Sequence, residues 1–183
     1  TAAVREPNPV LFLSVNSLGC QKGEVPLDPE FIVPIGKGIV RRPGNALTAI
    51  TYGSMVERTL AAAARLAGEG IEIEVIDLRS LVPLDWELVL ASVRRTHRAM
   101  IVHEAMKTAG PGAEIAAQIQ ERAFFDLEAP IRRVAAKDVP LPQHNDLEQL
   151  CMELLAAEAS QRPSSSRILS KLRGRRTKGQ PTT

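Results

Sequence analysis

The sequence reads as an α/β fold, a parallel sheet with helices on both faces. Three observations predict it. Strand-sized apolar stretches alternate with stretches of helical periodicity, in the order β-α-β-α-β-α-β-α, from Ala46 to Ala159. The connections between them are short, which forces right-handed crossovers between parallel strands. Ile71 to Leu78 alternates and then runs apolar, as a strand entering a covered sheet does.

The elements follow in order. Val10 to Val15 reads as a short buried strand. Residues 16–34 carry Gly19, Gly23, Pro26, Pro29 and Pro34 and read as an irregular connection. Gly38 to Arg42 is a short edge strand, ended by the turn Pro43-Gly44-Asn45. Ala46 to Tyr52 is a β-branched and apolar strand that Gly53 breaks. Ser54-x-x-Glu57 then reads as a capping box. Val56, Leu60, Ala63, Ala64 and Ala67 form one helical face, closed by Gly68 and Gly70. After the strand Ile71 to Leu78, Asp85 is the expected N-cap of a helix with face Leu88, Val89, Ser92 and Val93. Arg94 and Arg95 sit in its last turn, where cations suit the helix dipole. Ala99 to Val102 is a third strand, and 103–112 is a loop containing Gly110-Pro111-Gly112. Ala113 to Phe125 is a helix and Ile131 to Ala135 a strand. Asp138 to Pro142 is a turn, and Asp146-x-x-Gln149 caps a last helix with face Leu147, Leu150, Cys151, Leu154 and Leu155.

Charge divides the chain. Its 183 residues carry 23 Lys plus Arg and 21 Asp plus Glu, a net charge of +2. Seven of the basic residues and none of the acidic ones fall in 160–183, leaving a body with a net charge of −5. With Pro163, Ser164 to Ser166, Gly174, Gly179 and Pro181, that basic tail reads as disordered. It raises the question of nucleic acid, but none of the six aromatics lies in it, so base stacking has no support there. The 44% apolar content is that of a globular chain, and no apolar run nears the ~18 residues of a membrane-spanning helix. No signal peptide is visible, and with no initiator Met the chain is expected to be a fragment. Cys20 and Cys151 stand far apart without a C-x-x-C pair, which points away from structural zinc and toward a reducing compartment.

Motifs exclude further classes. Gly36-x-Gly38 lacks the third glycine of a dinucleotide site, and no P-loop, nucleophile elbow or H-E-x-x-H is present. His97, His103 and His144 lack metal-ligand spacing. In doubly wound folds ligands sit at the carboxyl ends of strands. Those ends offer Gly53-Ser54, Arg79-Ser80, His103-Glu104 with Lys107, and Lys137-Asp138. The candidate residues are Ser54, Arg79, His103, Glu104, Gly110 and Gly112, read either as an anion site or as contacts to a partner subunit. Ser54 opens a helix whose free amides could hold an anion. His103 could serve as an acid–base group, but neighbours on a strand point to opposite faces, so His103 and Glu104 make a poor dyad.

Several stretches are recognisable together: Pro7 to Val10, Lys22 to Pro26, Thr51 to Val56, Val75 to Asp85, Val102 to Ala105 and Gly112 to Ala116. In that order the set resembles the C-terminal part of the β subunit of the thiamine-diphosphate-dependent 2-oxo acid dehydrogenase E1 component, the pyruvate and branched-chain group. The resemblance covers roughly Glu6 to Cys151. It implies a transketolase C-terminal-type domain: a three-layer α/β/α sandwich whose five-stranded, mostly parallel sheet has one antiparallel strand, here that of Gly38 to Arg42. It divides the chain into the end of a preceding pyrimidine-binding domain and linker (1–34), the domain itself (35–159) and the tail (160–183). It further implies an α2β2 heterotetramer that decarboxylates a 2-oxo acid and passes the acyl group to the lipoyl domain of E2. This domain would build the subunit interface and help dock the subunit-binding domain of E2, in the cytoplasm or, in a eukaryote, the mitochondrial matrix. The family's catalytic Glu lies in the preceding domain, and its diphosphate and Mg²⁺ motif lies on the α subunit. The resemblance therefore assigns no catalytic, cofactor-binding or metal residue to this chain. It stops near Met152, short of the family's final Pro and helix, so the E2 contact has no counterpart to carry over. A free-standing α/β module that binds an anion or nucleotide is the alternative.

Overall fold

The computed structural model describes residues 2–15, 18–19, 26–28 and 31–139. The chain divides into two compact units, Thr1–Asp138 and Val139–Thr183, and of the second only Val139 is described. The helix expected from Asp146, the basic tail, both cysteines, His144 and the stretch Lys22 to Val25 lie outside the described residues.

A four-residue helix, α1 (Ala2–Arg5), precedes the sheet. The sheet elements are β1 (Ile39–Arg42), β2 (Leu47–Thr51), β3 (Ile73–Asp77), β4 (Ala99–Met106) and β5 (Arg132–Ala136). The helices α2 (Met55–Ala67), α3 (Trp86–Thr96) and α4 (Pro111–Ala123) connect the last four strands. The strands order as β1-β3-β2-β4-β5, with β1 antiparallel to β3 and every other pair parallel. The expected five-stranded sheet with one odd edge strand is what the chain forms.

Strand alternation sends successive side chains to opposite faces, and each face builds its own core. On one, Ala49, Ile73 and Val75 pack with Ala63, Leu60 and Leu66 of α2. On the other, Ile50, Ile76, Leu78 and Ile101 pack with Val89 and Val93 of α3 and Ile115 and Ile119 of α4. Helices thus cover both faces, giving the three layers. The connection β2-α2-β3 steps one way along the sheet, while β3-α3-β4 and β4-α4-β5 step the other. A fixed crossover hand puts their helices on opposite faces. The order therefore reverses between β2 and β4, which is the fold's topological switch point.

Four expectations need correction. Residues 10–15 form no strand, and Leu11, Phe12 and Leu13 are 85%, 80% and 73% exposed. An apolar run needs a neighbouring ladder to become a strand, and none of the described strands pairs with it. Ser54 is the N-cap of α2 but makes no capping bond. Its backbone is already helical (φ −63°, ψ −22°), whereas a capping side chain needs an extended residue to reach back to the third amide. The expected loop 103–112 is strand as far as Met106, with a bulge against β5 between Val102 and Met106. Helix α4 opens at Pro111 and not Ala113, because proline suits a first helical position where no amide bond is needed. Among the described residues no helix is long and apolar enough to cross a membrane.

Candidate functional site

Two loops leave the carboxyl end of the sheet at the switch point, one after β2 and one after β4. Beside them Tyr52, the residue after β2, meets His103 within β4. Their rings stack with centroids 6.1 Å apart and planes 12° from parallel. His103 is 2% exposed, and neither Nδ1 nor Nε2 has a hydrogen-bond partner. Burial, with the nearby charge of Arg133 second, holds its pKa below the ordinary value. Burial, then the charge of Glu104, raises the pKa of Tyr52. A neutral imidazole is therefore the resting state.

The glycines explain how the ring fits. A Cβ on Gly112 would lie 2.2 Å from His103 Nε2, and one on Gly110 would lie 2.2 Å from the Met106 carbonyl oxygen and 3.0 Å from His103 Cε1. No side chain fits at either position while the ring is in place. The turn that carries them is fastened to the end of β5. Asp138 accepts from the Thr108 amide (2.9 Å) and hydroxyl (2.8 Å), and the Lys107 amide donates to the Ala136 carbonyl (3.0 Å). These Thr108 bonds hold the Asp138 carboxyl below its ordinary pKa. Arg133 donates to the Lys107 carbonyl at 2.7 Å.

The structure thus joins three of the sequence candidates, His103, Gly110 and Gly112, and separates the rest. Glu104 is exposed on the opposite face from His103, as strand alternation requires. Ser54 is half-buried, and its hydroxyl and that of the buried Thr51 lack partners. Arg79 is turned to β1: its guanidinium donates to the Gly38 carbonyl (3.2 Å) and its amide to Asp77 Oδ1 (3.1 Å). Burial raises the pKa of Asp77 despite the Arg79 amide bond. Arg79 (φ 54°) and Ala109 (φ 56°) hold left-handed backbone at this end of the sheet, a cost of about 1 kcal/mol each for residues with a Cβ. Tyr52, Thr51 and Thr108 are not among the sequence's site candidates, and Asp138 is named there as a strand end without its partner Thr108. Only Tyr52 had a usable signal, as the lone tyrosine at the end of the central strand.

Tyr52, His103 and the α4 turn meet at the switch-point end of the sheet, where doubly wound folds take their ligands. Among the described residues no three His, Cys, Asp or Glu side chains converge as a metal site. No chemical step is assigned to these residues.

A family model described as the transketolase C-terminal domain matches residues 36–157. The pyruvate dehydrogenase E1 component subunit beta of Rhizobium meliloti (strain 1021) is 41% identical over 155 residues, 85% of this chain and 34% of that protein. The mitochondrial counterpart of Drosophila melanogaster is 45% identical over 80% of this chain and 41% of its own length. That of Bacillus subtilis (strain 168) is 42% identical over 84% of this chain and 50% of its own. The chain spans a third to a half of the length of these relatives. A solved split-gene transketolase, described as an inactive beta4 tetramer, superposes with a TM-score of 0.56 at 30% identity, over 67% of this chain and 39% of that one.

Proposed function

The chain belongs to the transketolase C-terminal domain family, and from that premise we propose that it is the C-terminal assembly domain of a 2-oxo acid dehydrogenase E1 β subunit. The observation that carries this reading is the identity of 41–45% to pyruvate dehydrogenase E1 β subunits over at least four fifths of the chain. In the complete enzyme, thiamine diphosphate and Mg²⁺ would decarboxylate pyruvate or a branched-chain 2-oxo acid, and the acyl group would pass to lipoyl-E2. This chain's part is to hold subunits together. Its partners are an E1 α subunit and a second β subunit; docking of the subunit-binding domain of E2 is not carried over, since the resemblance stops near Met152. The work takes place in the cytoplasm or the mitochondrial matrix.

Within this reading residues 35–159 are the assembly domain, 1–34 close the preceding domain and 160–183 are an appended basic tail. Ser54, Arg79, His103, Glu104, Gly110 and Gly112 belong to the subunit-facing edge, through the shape of the two loops and not through reaction with substrate. The exposed run Leu11 to Leu13 fits the same reading, because side chains of that size left in water suit burial against another domain.

The test uses the full chain. Alone with a 2-oxo acid, thiamine diphosphate and Mg²⁺ it releases no CO₂. Co-expressed with an intact α and β pair, it is captured with them on an affinity tag carried by the α subunit. Turnover by the chain alone, or its absence from the captured assembly, overturns the proposal.

The anion-binding alternative draws on one observation, the unpartnered hydroxyls of Thr51 and Ser54 near the start of α2. Two carboxylates oppose it. Glu57 sits in the first turn of α2, where it already meets the helix dipole, and Asp77 ends the adjacent strand β3. Calorimetry with inorganic phosphate separates the readings: no heat is expected, and saturable binding that Ser54→Pro removes favours the alternative.

A further inference from the structure

We propose that His103 is an acid-sensitive latch on the carboxyl edge of the sheet: when its ring takes up a proton, the turn 107–110 and the first turn of α4 come open. The argument is geometric. The ring lies between Tyr52 on the sheet side and the backbone of Gly110 and Gly112 on the helix side. It is sealed from water with both nitrogens unpartnered. A protonated imidazole carries two N–H donors and a charge, and each needs an acceptor or water.

Among the described residues no packed element supplies one. From β2 the ring faces Tyr52, which stays neutral through the acid range. From β5 the charge that reaches it is that of Arg133, of the wrong sign. From α4 it meets a helix N-terminus, the positive end of the dipole, without a capping side chain. Glu114 in the first turn of α4 is exposed and accepts from Gln118 at 2.9 Å. On β4 itself Glu104 points to the other face, and in the turn Asp138 is engaged by Thr108. Lys107 adds a further positive charge.

The ring must therefore leave its seat to stay charged. Tyr52 directly follows the central strand β2, while the turn 107–110 is tied to β5 and its end only by the Thr108 and Lys107 bonds and by Arg133 on the Lys107 carbonyl, and Gly112 sits in the uncapped first turn of α4. The weaker wall yields. The pH direction follows. Burial holds the ring below its ordinary 6.5, so the opened chain binds the proton first. The stability supplied by the neutral ring is whole above about pH 6.5 and is lost as pH falls from there toward the folded-state pKa.

The test is amide hydrogen exchange of the full chain at about pH 7.5 and about pH 5.5, corrected for intrinsic rates, with His103→Gln and His103→Phe, which cannot take the proton, as references. In the unaltered chain protection of residues 107–113 should fall at the lower pH by up to about tenfold more than in either variant, the ceiling that linkage sets one unit below 6.5. Those residues should also stay less protected than Ile73–Asp77, which marks the opening as local. If neither variant folds, the ¹³Cε1 signal of His103 in the unaltered chain decides. A midpoint below 6.5, accompanied by loss of Thr108 protection, supports the latch. A midpoint at or above 6.5, or protection unchanged across the titration, overturns it.

Discussion

The two ends of the sheet treat their polar groups in opposite ways. At the amino end, Glu74 is buried under α3 and saturated: the Thr48 hydroxyl donates to it at 3.2 Å and the Arg95 guanidinium pairs with it. Thr48 is in turn 2.7 Å from the Thr96 hydroxyl, and Arg95 also donates to the Gly44 carbonyl at 2.7 Å. At the carboxyl end, Thr51, Ser54 and both nitrogens of His103 are buried without partners. Among the described residues only Arg42 Nε breaks the contrast, as an orphan at the amino end. A buried polar group that is satisfied specifies one packing, and one left unsatisfied costs its desolvation in full. The amino end therefore anchors the domain. The carboxyl end carries the unsatisfied groups, and it is there that we place the partner contacts and the proton latch.

The contrast can be broken most forcefully at the amino end. Arg95→Met leaves the Glu74 carboxylate buried and uncompensated and should destabilise the domain by about 3 kcal/mol, read as a lower urea midpoint with an unchanged slope. A loss under about 1 kcal/mol would mean that Thr48 and solvent suffice for Glu74.

At the carboxyl end the expected losses are steric. Gly112→Ala forces a methyl against the His103 ring and should cost about 1–3 kcal/mol. Adding His103→Ala to it should return part of that loss, a coupling that a thermal-melt double-mutant cycle measures. Purely additive effects would show that the ring and the glycine do not share a seat.

The smallest and sharpest test compares two threonines three residues apart on β2. Thr48→Val removes a hydroxyl that Glu74 and Thr96 both use and should cost about 1–2 kcal/mol. Thr51→Val removes a hydroxyl that bonds nothing and should be neutral or stabilising within about 1 kcal/mol. Equal losses would erase the distinction between the ends.

Much of the fold was legible because its signals are local. Alternating periods located β2 to β5 and α2 to α4, and Asp85 announced itself as a cap. Its carboxylate does accept from the Leu88 amide, at 3.3 Å. Where the reading failed, a distant partner decided. The bulge after Val102 depends on β5, so His103 to Met106 looked like loop beside the conspicuous Gly-Pro-Gly. Ser54 matched a capping pattern, but the backbone leaving Gly53 (φ 61°) had already turned helical. The pairing of Tyr52 with His103, 51 positions away, has no sequence period to betray it. The candidate site was therefore half visible: its residues could be named from strand ends, but not which of them meet.

Asp85 also does a second job. Besides capping α3, its other oxygen accepts from the Gly38 amide at 3.2 Å, across 47 residues, and Lys37 Nζ lies 3.5 Å from its first. The antiparallel edge strand and the helix N-terminus thus share one carboxylate. Losing the Asp85 side chain would uncap α3 and untie the entry to β1 together, so the edge of the sheet and the layer over it are coupled through a single group.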